Sequence, residues 1–197
     1  MIVKNIESMR KLLVKNGLDH RPVYMTSGGF DPMHIGHLRC IQHTSSMATN
    51  ADAHPYNMTG IVVVVVNGDQ FLNRKKGYAF MPLAERMEII DGLRGVDYVV
   101  PYEAPYPDQT VIGAIRTLRP TYFTKGGDRF DASTIPEWKI CQEIGCEIIT
   151  GVGGGKIQSS SDLVKNSKQN MGTTLMVSLL SQNLENILTI HLRFQMK

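Results

Sequence analysis

Five consecutive valines, Val62 to Val66, follow Gly60-Ile61 and stop at Asn67-Gly68-Asp69. An unbroken β-branched run suits a strand buried on both faces, the environment of a parallel sheet. The segments around it alternate in the way such a sheet requires. Helical spacing of apolar residues marks 5–16 (Ile6, Met9, Leu12, Leu13), which stops at Gly17. Strands are expected at 22–27, 97–101, 120–125 and 146–150. Helices are expected at 34–46, at 82–93 with Pro82 in the first turn, at 108–118 and at 135–144. Residues 47–59, with Pro55 and Asn57 as breakers, and Gly151 to Gly155 read as loops, and Asn67-Gly68-Asp69 as a turn. Strands alternating with helices imply an α/β, Rossmann-like fold: an open, mostly parallel sheet with helices on both faces. Ligands bind such sheets at the carboxyl ends of the strands, at the topological switch point.

The chemistry concentrates at those strand ends. After Val23-Tyr24-Met25 comes Gly28-Gly29-Phe30-Asp31-Pro32-Met33-His34-Ile35-Gly36-His37. Asp31-Pro32 favours a tight turn ahead of a helix. His34 and His37, three apart, share one helical face, at a helix start that offers free N–H groups and partial positive charge to an anion. Gly36 between them carries no side chain, so a flat ligand can approach the backbone. The combination suggests a nucleotide phosphate site.

Three further segments belong with it. Asn73-Arg74-Lys75-Lys76-Gly77, read as a loop after the second strand, offers adjacent cations to a phosphate, although charge runs are also common on solvated faces. In Lys125-Gly126-Gly127-Asp128-Arg129, paired glycines let a base or ribose approach, and Asp128 accepts from a hydroxyl or an exocyclic amine. Lys156, with Ser159, Ser160 and Ser161 at a helix start, can bind phosphate oxygens while the serines cap the helix.

Bulk properties bound the partners. The chain has 197 residues, 42% hydrophobic and 20% charged, with a formal net charge of +3. That length suits one domain with a full core, and that charge is too mild for a general nucleic-acid binder. No stretch has the ~18 apolar residues of a membrane span, and the N-terminal residues lack the apolar region of a signal peptide. Cys40, Cys141 and Cys146 match neither a disulfide framework nor a zinc knuckle. They are expected to be reduced, mostly buried thiols of a cytoplasmic protein. Residues 171–197, rich in leucine and isoleucine with Glu185 as their one acidic residue, form a separate extension after a domain over 1–170. They pack on the core or form a homo-oligomer contact.

The first motif is the signature of the nucleotidylyltransferase superfamily, and the resemblance runs from about residue 22 to 168. Class I aminoacyl-tRNA synthetases share the His-Ile-Gly-His core, but 197 residues leave no anticodon domain. The resemblance assigns Gly28, Gly29, Phe30 and Gly36 to the nucleotide and His34 and His37 to its α/β-phosphates. Lys75 and Lys76 resemble the family's phosphate-binding lysines, and Arg86 its arginine on the following helix, taken here as substrate-binding. Gly126, Gly127 and Asp128 resemble the nucleotide-facing segment, and Lys156 to Ser161 the family's Ile-Ser-Thr-Thr segment. The Arg-Thr-x-Gly lead-in of the cytidylyltransferase form is absent. Gly-Gly-Asp-Arg and Lys-Ile-Gln-Ser-Ser-Ser look closer to the sugar-phosphate branch typified by the heptose phosphate adenylyltransferase.

The reaction this resemblance implies is transfer of a nucleoside monophosphate from NTP to a small phosphorylated metabolite, with release of pyrophosphate. The expectation is ATP with a sugar phosphate. CTP with a polyol, alcohol or phosphonate acceptor is the alternative, and a non-catalytic nucleotide sensor a second one. An acceptor phosphate is already anionic, so no general base is required, and catalysis reduces to positioning and charge stabilisation. Mg²⁺ would be bound through the NTP phosphates, with no protein metal cage.

Overall fold

The valine run is a strand, β2 (Ile61–Asn67), and all seven of its residues are buried. Alternate strand side chains point to opposite faces, and each face has its own core. Val63 and Val65 join Met25 and Phe123 against Met9, Leu13, Ile115 and Leu118. Val62, Val64 and Val66 lie with Ile41, Met87 and Ile90. The structure, a computed structural model, describes residues 1–50, 58–127 and 131–169.

The other strands are β1 (Val23–Gly28), β3 (Tyr98–Tyr102), β4 (Tyr122–Gly126) and β5 (Glu147–Val152). They form a five-stranded sheet in the order β3-β2-β1-β4-β5, and every pairing is parallel. The α/β expectation is therefore met. Helices α1 (Ile6–Lys15), α5 (Ile112–Leu118) and α6 (Trp138–Ile144) contribute to the first core, and α2 (Ile35–Thr49) and α4 (Leu83–Asp91) to the second. From β1 the chain runs outward through β2 to β3, then returns to build β4 and β5 on the other side. The strand order thus reverses between β1 and β4, where this class of sheet binds its ligands. Gly28 and Gly126 end those two strands.

Two expectations need correction. Asn67-Gly68-Asp69 is not a free turn, and the cationic segment after it is not a loop. Gly68 is the N-cap of a helix, α3 (Asp69–Lys76), which ends at Gly77 in the left-handed conformation (φ 84°). Phe71 and Leu72 bury that helix's inner face. Asp69 lies in its first turn and Arg74, Lys75 and Lys76 in its last, complementing the helix dipole at both ends. Two buried residues in eight are too few for a helical period to be read. The second correction is that α2 continues to Thr49, because Ala48, 1% exposed, still packs in the core. Pro55 and Asn57 lie outside the described residues.

The chain divides into two units, Met1–Ser160 and Ser161–Lys197. The second is described only over 161–169, which continues a helix, α7 (160–169). Residues 171–197 lie outside the described residues. Cys40, Cys141 and Cys146 are free and buried. Among the described residues no helix is long and apolar enough to cross a membrane.

Candidate active site

The first motif leaves β1 at Gly28 and enters α2 at Ile35. Between them Phe30 takes a positive φ of 51° and is 4% exposed, and the Asp31–Pro32 bond is cis. His34 is the N-cap of α2. Its Nδ1 accepts from the Gly36 amide at 3.1 Å, and His37 Nδ1 accepts from the His34 amide at 3.3 Å. Both imidazoles thus do the work usually given to serine, aspartate or glutamate in a capping box. Phe30 meets the His37 ring edge-on at 5.1 Å. Gly36 also has a more local use than expected. A Cβ there would come within 3.0 Å of the His34 ring, so its bareness is what lets that ring fold back over the helix start.

This arrangement fixes the protons. A neutral imidazole whose Nδ1 accepts a hydrogen bond carries its proton on Nε2. Burial first, then the neighbouring His34 and Lys76, pulls the His37 pKa down to about 3. Burial and Lys76 also lower that of His34. The site therefore holds two neutral N–H donors rather than two imidazolium charges.

Lys75 and Lys76 end α3, and both line a cavity of about 120 Å³ together with Gly28 and Gly29. Lys76 Nζ donates to the Asp31 carbonyl at 3.3 Å. Burial lowers its pKa, with Asp31 opposing and Lys75 and Arg86 adding to the effect. Lys75 Nζ lies 5.6 Å from the Phe71 ring centre. The two lysines expected to hold phosphate thus adjoin the first motif, from a helix rather than a loop.

Arg86 is placed differently from the expectation of substrate contact. It is 1% exposed, and protein acceptors surround its guanidinium. Nη1 donates to Gly29 O at 2.6 Å and Asn67 O at 2.8 Å, Nε to Met81 O at 2.9 Å, and Nη2 to Asp69 Oδ1 at 2.5 Å. One side chain thereby joins the ends of β1 and β2 to the start of α3. Asp31 acts similarly, although its sequence context suggested only a turn. Fully buried, it accepts from the amides of Phe80 at 2.8 Å and Met81 at 2.7 Å.

The remaining expected residues are less convergent. A Cβ on Gly126 would meet Cys40 Sγ at 3.1 Å and Val152 O at 3.2 Å, so this glycine allows close packing of α2 on the sheet. Gly127 has φ 85° and open space around it. Asp128 lies outside the described residues. Lys156 is exposed and Ser159 half-buried, whereas Ser160 is buried and its Oγ donates to Pro32 O at 2.9 Å. That bond ties Ser160 to the first motif's turn. Ser161 follows at the second position of α7.

Sequence reasoning missed the cavity's own polar lining, Asn67, Gln109 and Glu137. In sequence Asn67 looks like a turn former, and Glu137, 5% exposed, looks like any helix-start acid. Asn67 closes β2, whereas Glu137 caps α6 in the connection that follows β4, so only Asn67 carries a positional signal.

The cytidylyltransferase-like family matches residues 25–149, which spans β1 to β5 and includes the two histidines, the α3 lysines and Arg86. The chain belongs to the cytidylyltransferase-like family. It is 28% identical over 155 residues to the bifunctional protein HldE of Geobacter sulfurreducens, covering 77% of this chain and 26% of that protein. With HldE of Hahella chejuensis it shares 30% identity over 134 residues, covering 67% of this chain and 23% of the relative. The chain thus spans about a quarter of the length of these bifunctional relatives. A solved structure, the lipopolysaccharide core biosynthesis protein from Thermoplasma volcanium GSS1, matches at 19% identity with a TM-score of 0.49, over 66% of this chain and 94% of that one.

Proposed function

We propose that this cytidylyltransferase-like chain transfers a nucleoside monophosphate from NTP, with ATP favoured, to the phosphate of a small metabolite such as a sugar phosphate. The observation that carries the reading is the tying of both Nδ1 atoms to backbone amides at the start of α2. It leaves two neutral Nε2–H donors at a helix N-terminus, beside two lysines. Such a set suits phosphate oxygens that gain charge during transfer.

In the reaction an acceptor phosphate oxygen attacks the α-phosphorus of NTP. The new O–P bond forms as the bond between the α-phosphorus and its bridging oxygen to the β-phosphate breaks. Pyrophosphate leaves with that electron pair, and no proton need be removed from the nucleophile. The histidines donate to the α/β-phosphates, while Lys75, Lys76 and Lys156 hold the triphosphate and then pyrophosphate. Arg86 is a positioning residue, because its donors fix Gly29 and the α3 start. Asp31 and Asp69 already accept from protein donors. The residues present therefore fit a Mg²⁺ whose ligands come from the nucleotide, where it would neutralise phosphate charge. Support for ATP over CTP is the Gly-Gly-Asp-Arg segment and the missing Arg-Thr-x-Gly lead-in.

The test is incubation with each NTP, Mg²⁺ and a panel of phosphorylated sugars and alcohols, scored by pyrophosphate release. Release that requires both ATP and a sugar phosphate is expected. A strong preference for CTP would overturn the adenylyl assignment. NTP binding without pyrophosphate release for any acceptor would favour the sensor reading.

A further inference from the structure

Where β5 ends, the chain passes directly over α2. Gly153 has φ 84°, and a Cβ there would meet the Cys40 amide nitrogen at 2.6 Å and the Arg39 carbonyl carbon at 2.8 Å. Only a glycine seats the backbone this close to the helix. The Gly153 amide donates to His43 Nδ1 at 3.0 Å. Helical side chains lean towards the preceding turn, so His43, four residues after Arg39, leans to the place where Gly153 rests. At 3.6 residues per turn, His43 lies off the helical face that His34 and His37 share. It is therefore no third phosphate donor, and the transfer chemistry leaves it unused.

Past Gly153 the backbone opens. Gly154 also has a positive φ, 87°, and nothing packs within 4 Å of a Cβ built on it or on Gly155. Lys156 follows and is exposed. At Ser160 the chain is held again, by its Oγ donating to Pro32 O at 2.9 Å. Residues 154–159 thus form a strap tied on either side of the histidine pair, to α2 at His43 and to the turn at Pro32. From Cys40 back to the start of α2 is about 8 Å at 1.5 Å per residue. Six residues can reach about 20 Å. The strap therefore has slack, and where Lys156 stands depends on how the ends are tied.

We propose that His43 is a positioning residue for Lys156: by accepting from the Gly153 amide it ties down the near end of the strap and holds the lysine at the start of α2, where the triphosphate binds. The proposal rests on the phosphate role given to Lys156 above and adds the group that sets its place. A segment ordered before its ligand arrives spares the cost of ordering it on binding. Loss of the tie keeps the lysine in the chain but leaves the strap to sample more positions, so the effect is read through Lys156 itself.

The experiment is a double-mutant cycle on the intact chain, read by calorimetric titration with ATP and with CTP, each with Mg²⁺ and without acceptor. Pyrophosphate release is followed separately. His43→Ala should weaken binding of the preferred nucleotide about 5-fold, the size of one net hydrogen bond. His43 is exposed, so this variant should fold, and a Tm near that of the wild type reports it. His43→Asn places an oxygen where Nδ1 stood and should recover most of the affinity. In a chain already carrying Lys156→Ala, the further change His43→Ala should have no effect, because the lysine it positions is gone. A merely structural role would give losses that add. Additive losses, unchanged nucleotide affinity in His43→Ala, or His43→Asn as weak as His43→Ala each overturn the proposal while leaving the transferase standing. Wild-type affinity in Lys156→Ala overturns it too, together with the phosphate role of that lysine. Coupled losses with no pyrophosphate from any nucleotide and acceptor support the tie and overturn the transferase reading instead.

Discussion

The rings of His34 and His37 stack with centroids 3.7 Å apart and planes 23° from parallel. Two imidazolium ions would repel at that distance, so the stack itself favours the neutral forms. With each Nδ1 occupied, the pair presents Nε2–H groups as a preset couple of donors. His37→Ala should therefore lower turnover at least ~100-fold, the size seen on removing one donor to a transition-state oxyanion. NTP affinity should change little, because the missing bond matters most as charge builds. Steady-state kinetics with a separate NTP titration checks this, and near wild-type turnover would falsify the role of His37.

The same burial ties stability to pH. The folded-state pKa of His37 is about 3, below the value of about 6.5 for an unperturbed histidine. Between those values the unfolded chain binds more protons than the folded one, so stability rises with pH. This contribution is fully present above about pH 6.5 and is lost as pH falls towards 3. His37→Gln cannot titrate there. Urea denaturation from pH 4 to 7 should give a shallower pH dependence for His37→Gln than for wild type, and parallel curves would contradict the assignment.

Lys75→Ala with Lys76→Ala should weaken triphosphate binding, and the loss should shrink as salt rises. Exposed charges are screened over about 10 Å at 0.1 M salt. Lys76 is the more covered of the two and holds the Asp31 carbonyl, so Lys76→Ala alone should keep more of its effect at 0.5 M salt than Lys75→Ala. NTP titrations at two ionic strengths separate them. An unchanged titration for the double variant would return both lysines to the solvated surface of α3.

These residues also show what the sequence made legible. The valine run announced a two-sided strand because every residue of it had to be buried, and the order of strands and helices followed from periodicity. The histidine pair was readable because its spacing and flanking glycines are local. The role of Arg86 was not, because Gly29, Asn67, Asp69 and Met81 are brought to it from separate strand ends and loops. Asn67 likewise showed nothing unusual until its amide oxygen was seen buried without a donor. Helix α3 was missed because eight residues with a cationic end look like a solvated loop until Phe71 and Leu72 are placed in the core.

Arg86 carries the last prediction. Its side chain has no exposure, whereas that of Asp69 is 43% exposed. Losing the arginine would leave Asp69 able to hydrate, but the carbonyls of Gly29, Asn67 and Met81 would lose donors they do not easily replace. Arg86→Ala should therefore destabilise the fold by about 3–5 kcal/mol, since three carbonyls lose donors at about 1–3 kcal/mol for each one left buried and unpaired. Arg86→Lys should recover little of that loss, because an ammonium group lacks the planar fork that reaches several acceptors at once. Urea denaturation measures both variants. If Arg86→Ala were as stable as wild type yet lost acceptor affinity, the guanidinium would be contacting substrate, and the positioning role assigned to it would fail.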